Sequence, residues 1–151
     1  MFLVGLTRAD LVGFLPGGGV VAEVGCAEGA FAQTILERNR PARLHLVDPW
    51  EHQARDDYLA DDNNVGDAEF EMRFRGVQAR FAGQIAVGAV ELHRAYSPAA
   101  ADRFADGSLD WVYIDAMHTE AAVLADLRAF APKVKPGGLI LGHDYASHPG
   151  F

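Results

Sequence analysis

The sequence has a single cysteine and an excess of acidic over basic residues. One thiol, Cys26, excludes an intrachain disulfide and a zinc site built from several cysteines, so a reducing compartment is expected. Lys and Arg number 13 against 21 Asp and Glu, and the net charge of -8 disfavours binding of nucleic acid through a broad basic surface. No apolar run approaches the roughly 18 residues that span a bilayer, and the start lacks the pattern of a secretory signal. We therefore expect a cytoplasmic protein that binds neither nucleic acid nor membrane.

Apolar runs alternate with helical patterns along the 151 residues, a length that suits one domain. Continuous apolar runs typical of buried strands cover 20–24, 43–48, 89–94, 109–115 and 139–141. Helical spacing of apolar residues covers 30–39, 67–81 and 99–104, and a further helix follows Thr119. We expect that last helix to place Val123, Leu127, Phe130 or Ala131, and Val134 on one side. The alternation predicts an α/β fold, a Rossmann-like doubly wound sheet of five parallel strands with helices on both faces.

The end of the first predicted strand reads Glu23-Val24-Gly25-Cys26-Ala27-Glu28-Gly29. Gly25 and Gly29 permit a tight turn whose backbone can approach a ligand, and Asp48 ends the next strand, where a carboxylate can accept hydrogen bonds from ribose hydroxyls. Together they indicate an adenosine-type cofactor. Ala27 stands where a dinucleotide fingerprint has glycine, and Glu23 would repel a pyrophosphate but could hold an amino group. Tight packing for the glycines and strand termination for Asp48 are the alternative interpretations.

These segments resemble the first two motifs of class I S-adenosylmethionine-dependent methyltransferases, as Ala22 to Phe31 and as Val47-Asp48-Pro49-Trp50. A longer series, running from Asp106 to Tyr145 through Leu109 to His118 and through Lys135 to Asp144, resembles methyltransferase family 24, a branch that acts on small molecules. The resemblance covers most of the chain and is weakest over 51–88.

The resemblance implies a role for each strand end. Four residues would line the methionine part of S-adenosylmethionine and the turn beneath it: Glu23, Gly25, Cys26 and Gly29. Asp48 would bind the ribose, Trp50 would cover the ring system, and Ser97 would lie near the adenine edge. Asp115 would sit beside the reactive sulfonium and face the acceptor.

His118 is the candidate general base, because an imidazole titrates near neutral pH and lies three residues after Asp115. An ordinary solvated position at a helix start is the alternative. In relatives that use a divalent metal, the matching ligand positions would be Asp115, His143 and Asp144, although an imidazole disfavours magnesium. His143 and Asp144 could equally form an oriented catalytic pair or end a strand. For Cys26, a small residue in a tight turn is favoured over a nucleophile.

The leading hypothesis is a methyltransferase that moves a methyl group to a small molecule, at a hydroxyl oxygen. A nicotinamide-dependent oxidoreductase and a non-catalytic cofactor-binding module are the alternatives. Methyltransferases of this class continue past the fifth strand into an antiparallel hairpin, which does not fit before Phe151. We therefore expect a C-terminally truncated portion, or a partner such as a second copy of the chain that covers the edge of the fifth strand.

The negative charge is concentrated in one segment. Eight acidic residues and one basic residue, Arg55, lie between Glu51 and Glu71, whereas the rest of the chain is almost neutral. A solvated flap explains this composition. The alternative is an acidic lid that attracts the cationic cofactor or a cationic acceptor.

Overall fold

The computed structural model describes residues 7–56, 58–59, 61 and 63–143. Helices and strands alternate along them in the order α1 (Arg8–Phe14), β1 (Val20–Val24), α2 (Ala30–Arg38), β2 (Arg43–Asp48), α3 (Asp67–Arg80), α4 (Ala82–Ala86), β3 (Val90–Arg94), α5 (Ser97–Ala101), β4 (Leu109–Ile114), α6 (Glu120–Phe130), a short 3₁₀ helix (Ala131–Lys133) and β5 (Val134–Gly142).

The strands of the described residues form one parallel sheet in the order β3-β2-β1-β4-β5. Successive strands are added outwards from β1, first on one side and then on the other, so the strand order reverses between β1 and β4. The Rossmann-like fold predicted from the sequence is confirmed. Such a reversal opens a crevice beyond the carboxyl ends of the two central strands.

The central strands β1, β2 and β4 are buried on both faces of the sheet. Successive side chains of each strand point to opposite faces, and apolar side chains of the helices cover both. On one face Val21, Leu46 and Tyr113 pack with α1, α2 and α3. On the other, Val24 and Val112 join an apolar cluster with side chains of α5, α6 and the loop after α5. This two-sided burial is why the strands read as continuous apolar runs in the sequence.

The C-terminal helix departs from the sequence-based expectation. It ends at Phe130, and Val134 begins β5 instead of extending the helical face. Val123 and Leu127 of the predicted face are 37% and 38% exposed, whereas Phe130 of that face is buried together with Asp126. These last two residues lie four apart on one stripe of α6, and that polar-and-apolar stripe packs inwards because Asp126 finds a partner in Ser97.

Helix α1 was not predicted. Its first turn is closed by a capping box, in which the Thr7 hydroxyl accepts a hydrogen bond from the Asp10 amide and the Asp10 carboxylate accepts one from the Thr7 amide. The Thr-x-x-Asp pattern is the local signal that would have identified it.

Strand β5 pairs with β4 and has no second neighbour among the described residues. Leu139 and Ile140 of β5 are 43% and 40% exposed. That a partner covers this edge stays a prediction. In the part of the chain that the structure describes, no helix combines the length and apolar character needed to cross a bilayer; the cytoplasmic location also stays a prediction.

Candidate active site

A cleft of about 640 Å³ lies at the carboxyl ends of the strands. Gly25 follows β1, Asp48 ends β2 and Asp115 follows β4, and all three line the cleft. Ser97, at the start of α5, lines it as well. The fold therefore brings four of the predicted site residues together at the reversal of strand order, the position at which open parallel sheets bind ligands.

The turn after β1 depends on its glycines. Gly25 has a φ of 85°, and a Cβ there would lie 2.2 Å from the carbonyl oxygen of Asp115. Gly29 has a φ of 75° and begins α2, where a Cβ would lie 2.8 Å from the Phe81 ring. Each glycine thus has a packing role, and Gly25 in addition brings bare backbone to the cleft.

Ala27 adopts a φ of 45°, the left-handed conformation that glycine supplies in dinucleotide-binding turns. Its amide donates to Oδ2 of Asp48 at 2.9 Å, and its carbonyl accepts from the indole nitrogen of Trp50 at 2.8 Å. These two bonds hold the alanine in a conformation that is strained for a residue with a Cβ.

Asp48 ties the ends of β1 and β2 together. Besides the bond from Ala27, its Oδ1 accepts the Trp50 amide at 2.8 Å. Burial raises the pKa of Asp48, while the backbone hydrogen bonds act in the opposite direction. Each carboxylate oxygen retains capacity for a further hydrogen bond from a ligand hydroxyl.

Four of the predicted binding residues do not line the cleft: Glu23, Cys26, Gly29 and Trp50. Trp50 is fully buried and packs 4.9 Å from the ring of Phe74, so the expectation that it covers the ring system of a ligand is wrong. Cys26 is 4% exposed and packs in the core, where burial raises the pKa of its thiol. Its contribution to the turn is its carbonyl, which accepts the amide of Gly29.

Glu23 is a buried carboxyl group next to the cleft. It is 2% exposed, and its Oε2 has no hydrogen-bond partner among the described residues. Burial, followed by the charge of Asp115, raises its pKa to about 8. Glu23 is therefore protonated at neutral pH until a cation approaches it.

Arg8 brings a positive charge into the cleft. Its Nη1 lies 2.9 Å from Oδ2 of Asp115, and its guanidinium lies 4.5 Å above the ring of Phe31. Asp115 is 107 residues away along the chain, so sequence reasoning missed this contact. Helix α1, started by its capping box, is what delivers the arginine.

Asp115 also lies beside two imidazoles. Its Oδ1 is 3.2 Å from Nε2 of His118 and 3.4 Å from Nδ1 of His143. The predicted metal set contained Asp144 in place of His118, and Asp144 lies outside the described residues. One carboxylate and two imidazoles do not fit magnesium, which takes oxygen ligands, and Arg8 already contacts the second oxygen of the carboxylate.

The cleft also contains a polar pair, of which only Ser97 was predicted from the sequence. The Ser97 hydroxyl donates a hydrogen bond to Oδ1 of Asp126, and both residues line the cleft. Burial raises the pKa of Asp126, and the bond from Ser97 partly offsets this. Asp126 was not among the predicted site residues, because a carboxylate inside an amphipathic helix carries no local signal of a site.

Residues 22–145 match the sequence pattern of a methyltransferase domain, that of methyltransferase family 24. This chain belongs to methyltransferase family 24. The match includes both strand-end turns and the series from Asp106 to Tyr145, and it confirms the resemblance noted in the sequence. No curated protein matches this family 24 chain.

Solved methyltransferases share the fold of this family 24 domain at low sequence identity. A geranyl diphosphate methyltransferase in complex with S-adenosylmethionine is 12% identical with a TM-score of 0.60, over 89% of this chain and 45% of that one. Precorrin-6y C5,15-methyltransferase from Geobacter metallireducens is 14% identical with a TM-score of 0.59, over 89% of this chain and 57% of that one. A methyltransferase from Geobacter sulfurreducens is 15% identical with a TM-score of 0.58, over 93% of this chain and 62% of that one. The family 24 chain thus spans about half to three fifths of these proteins.

Proposed function

We propose that this chain binds S-adenosylmethionine in the cleft and transfers its methyl group to a hydroxyl oxygen of a small molecule. Membership of family 24 supports methyl transfer. The observation that carries the site is the Asp115 carboxylate, which contacts an arginine and two histidines at the end of β4. A carboxylate that lines a cleft and contacts an imidazole can orient that imidazole as a base.

The cleft offers a different group for each part of the cofactor. Arg8 suits the carboxylate of the methionine part, and the unpartnered buried oxygen of Glu23 suits its amino group, directly or through water. Asp48 suits the ribose hydroxyls. The pair formed by Ser97 and Asp126 suits the adenine edge, where an exocyclic amine can donate to a carboxylate. The bare backbone at Gly25 allows the ligand to lie close to the turn.

His118 is the proposed general base. Its side chain is 52% exposed, so an acceptor can reach the imidazole, whereas Asp115 is 18% exposed and holds the ring from the protein side. When bound, S-adenosylmethionine supplies an activated methyl group, whose C–S bond breaks as the C–O bond to the acceptor forms. His118 takes the hydroxyl proton, and Asp115 stabilises the imidazolium that results.

Calorimetry separates this proposal from an oxidoreductase. The 151-residue chain is titrated with S-adenosylhomocysteine and, in parallel, with NAD. We expect binding of the first and none of the second, because the turn after β1 lacks a phosphate-cradling glycine loop. Binding of NAD without S-adenosylhomocysteine would overturn the methyltransferase proposal.

An acceptor panel then tests the catalytic roles, using small molecules with a phenolic, enolic or aliphatic hydroxyl group and matched amines. His118→Gln should lower kcat by about 10²- to 10⁴-fold with little change in cofactor affinity. His143→Gln is the matched control, because it removes the other imidazole on the same oxygen of Asp115. Equal turnover in His118→Gln and the parent would remove His118 from the mechanism. Cofactor binding without turnover of any acceptor would support a non-catalytic module.

A further inference from the structure

A second group of potential ligands lies outside the cleft, beside the ring of Phe104. A cavity of about 410 Å³ is lined by Val20 and Arg43, which begin β1 and β2, and by Ser108, which precedes β4. The cavity therefore extends from the amino ends of these strands to residues within β2 and β3. His45, Glu91 and His93 also line it, and none of the three has a part in the proposed methyl transfer.

The register of β2 and β3 places these three side chains on one face. His45 pairs with Glu91 across the two parallel strands, so both side chains point to the same side of the sheet. His93 follows Glu91 by two residues and therefore shares that side. Strand pairing alone thus assembles two imidazoles and a carboxylate from positions up to 48 residues apart.

The separations of the ligand atoms suit a small divalent ion. Nδ1 of His45 lies 2.9 Å from Nε2 of His93, and the two carboxylate oxygens of Glu91 lie 3.6 Å from the first and 3.8 Å from the second. In a tetrahedral site with ligands at about 2.0–2.1 Å, ligand atoms are roughly 3.3 Å apart. The observed values lie on both sides of that distance, so movements of a few tenths of an ångström would complete the site.

The surroundings hold the two rings in place. His45 and His93 are 7% and 4% exposed, and their ring centroids lie 5.0 Å and 5.2 Å from that of Phe104. Glu91, at 52% exposure, contributes a carboxylate from the solvent side.

We propose that His45, His93 and Glu91 bind one divalent cation of the zinc class, with a fourth position open to the cavity. Two imidazoles and a carboxylate with an open position are typical of zinc rather than of magnesium or calcium. The Ser108 hydroxyl lines the same cavity and has no hydrogen-bond partner among the described residues, so it is available to a fourth ligand. Arg43 and Arg103 also line the cavity, and their charges favour an anion in that position.

Cobalt(II) tests the site, because a tetrahedral cobalt complex has characteristic visible absorption. The chelator-treated 151-residue chain is titrated in an Asp115→Asn, His118→Gln background, which leaves only His143 of the three potential ligands in the cleft. We expect one cobalt ion per chain with tetrahedral bands, displaced by zinc, and shifts of the imidazole ¹⁵N resonances of His45 and His93. His93→Gln should abolish binding.

Glu91→Gln decides the proposal if His93→Gln fails to fold, since Glu91 is exposed and its substitution leaves the core intact. Its affinity for cobalt should fall at least tenfold, whereas Glu37→Gln, an exposed glutamate of α2, should leave the affinity unchanged. Absence of cobalt binding, or equal affinity in the parent and Glu91→Gln, would overturn the proposal. The two histidines would then be a hydrogen-bonded pair and no more.

Discussion

Replacement of Glu23 by glutamine tests the electrostatics beneath the cleft. The carboxyl group is 2% exposed, and burial raises its pKa from 4.5 to about 8. In the folded chain it therefore keeps its proton over a pH range in which the unfolded chain loses it. Glutamine has the same shape and never ionises, so the substitution removes this difference between the two states.

The sign and size of the effect follow from linkage. A carboxyl group whose pKa is raised by folding contributes its stability fully below pH 4.5, and that contribution is lost as the pH rises to about 8. At about 1.4 kcal/mol per pH unit, Glu23 should lower the free energy of unfolding by about 3 kcal/mol at pH 7 and by about 5 kcal/mol above pH 8. Relative to the parent, Glu23→Gln should be close to neutral at pH 4.5 and increasingly stabilised as the pH rises.

Urea unfolding at several pH values between 4.5 and 9 measures this difference. The difference between parent and variant cancels the contribution of the other titrating groups to the pH dependence of the free energy of unfolding. His45 and His93 are among these groups, because their lowered pKa values destabilise the fold as the pH falls below 6.5. Cys26→Ser is a control that alters a neighbouring buried position without removing a carboxyl group. Parallel pH profiles for Glu23→Gln and the parent would refute the reasoning, since the carboxyl group would then ionise equally in both states.

Three further perturbations test the cleft. Gly25→Ala should lower the free energy of unfolding by roughly 1–3 kcal/mol, because its Cβ would lie 2.2 Å from the carbonyl oxygen of Asp115 at a φ of 85°. Chemical denaturation measures this loss, and an unfolding midpoint equal to that of the parent would contradict the prediction. Arg8→Gln should weaken binding of S-adenosylhomocysteine about tenfold and leave adenosine binding unchanged, since adenosine has no carboxylate; calorimetry that finds equal losses for both ligands would show that Arg8 acts on the fold. If the acidic segment attracts the cofactor, Asp56→Asn combined with Asp61→Asn should reduce the salt dependence of its affinity, and an unchanged dependence would leave the segment as a solvated flap.

The strands and their ends could be predicted because they depend on local information. A parallel strand buried on both faces is continuously apolar, so Val20–Val24 and Leu109–Ile114 could be recognised without knowledge of their neighbours. The polar residue that ends such a run is then placed at the cleft by topology alone. This is why Asp48 and Asp115 line the same cleft.

Side-chain direction could not be predicted, because it depends on turns and partners. The positive φ of 43° at Trp50 turns its indole into the core, where it bonds to Ala27. The inward stripe of α6 contains Asp126 because Ser97, on another helix, supplies a hydrogen bond that offsets the burial of a carboxylate. The spacing of apolar residues in the sequence indicates neither the direction of the Trp50 side chain nor the burial of Asp126.

By itself, the sequence determined the alternation of strands and helices, the turn at Gly25 and the carboxylates at the strand ends, since each follows from short-range sterics and from which residues must avoid water. The tertiary structure decided what those carboxylates touch. Arg8 reaches Asp115 across 107 residues, and His45 meets His93 across two neighbouring strands. Such contacts depend on strand order and register, which bring distant segments within a few ångströms once the chain has folded.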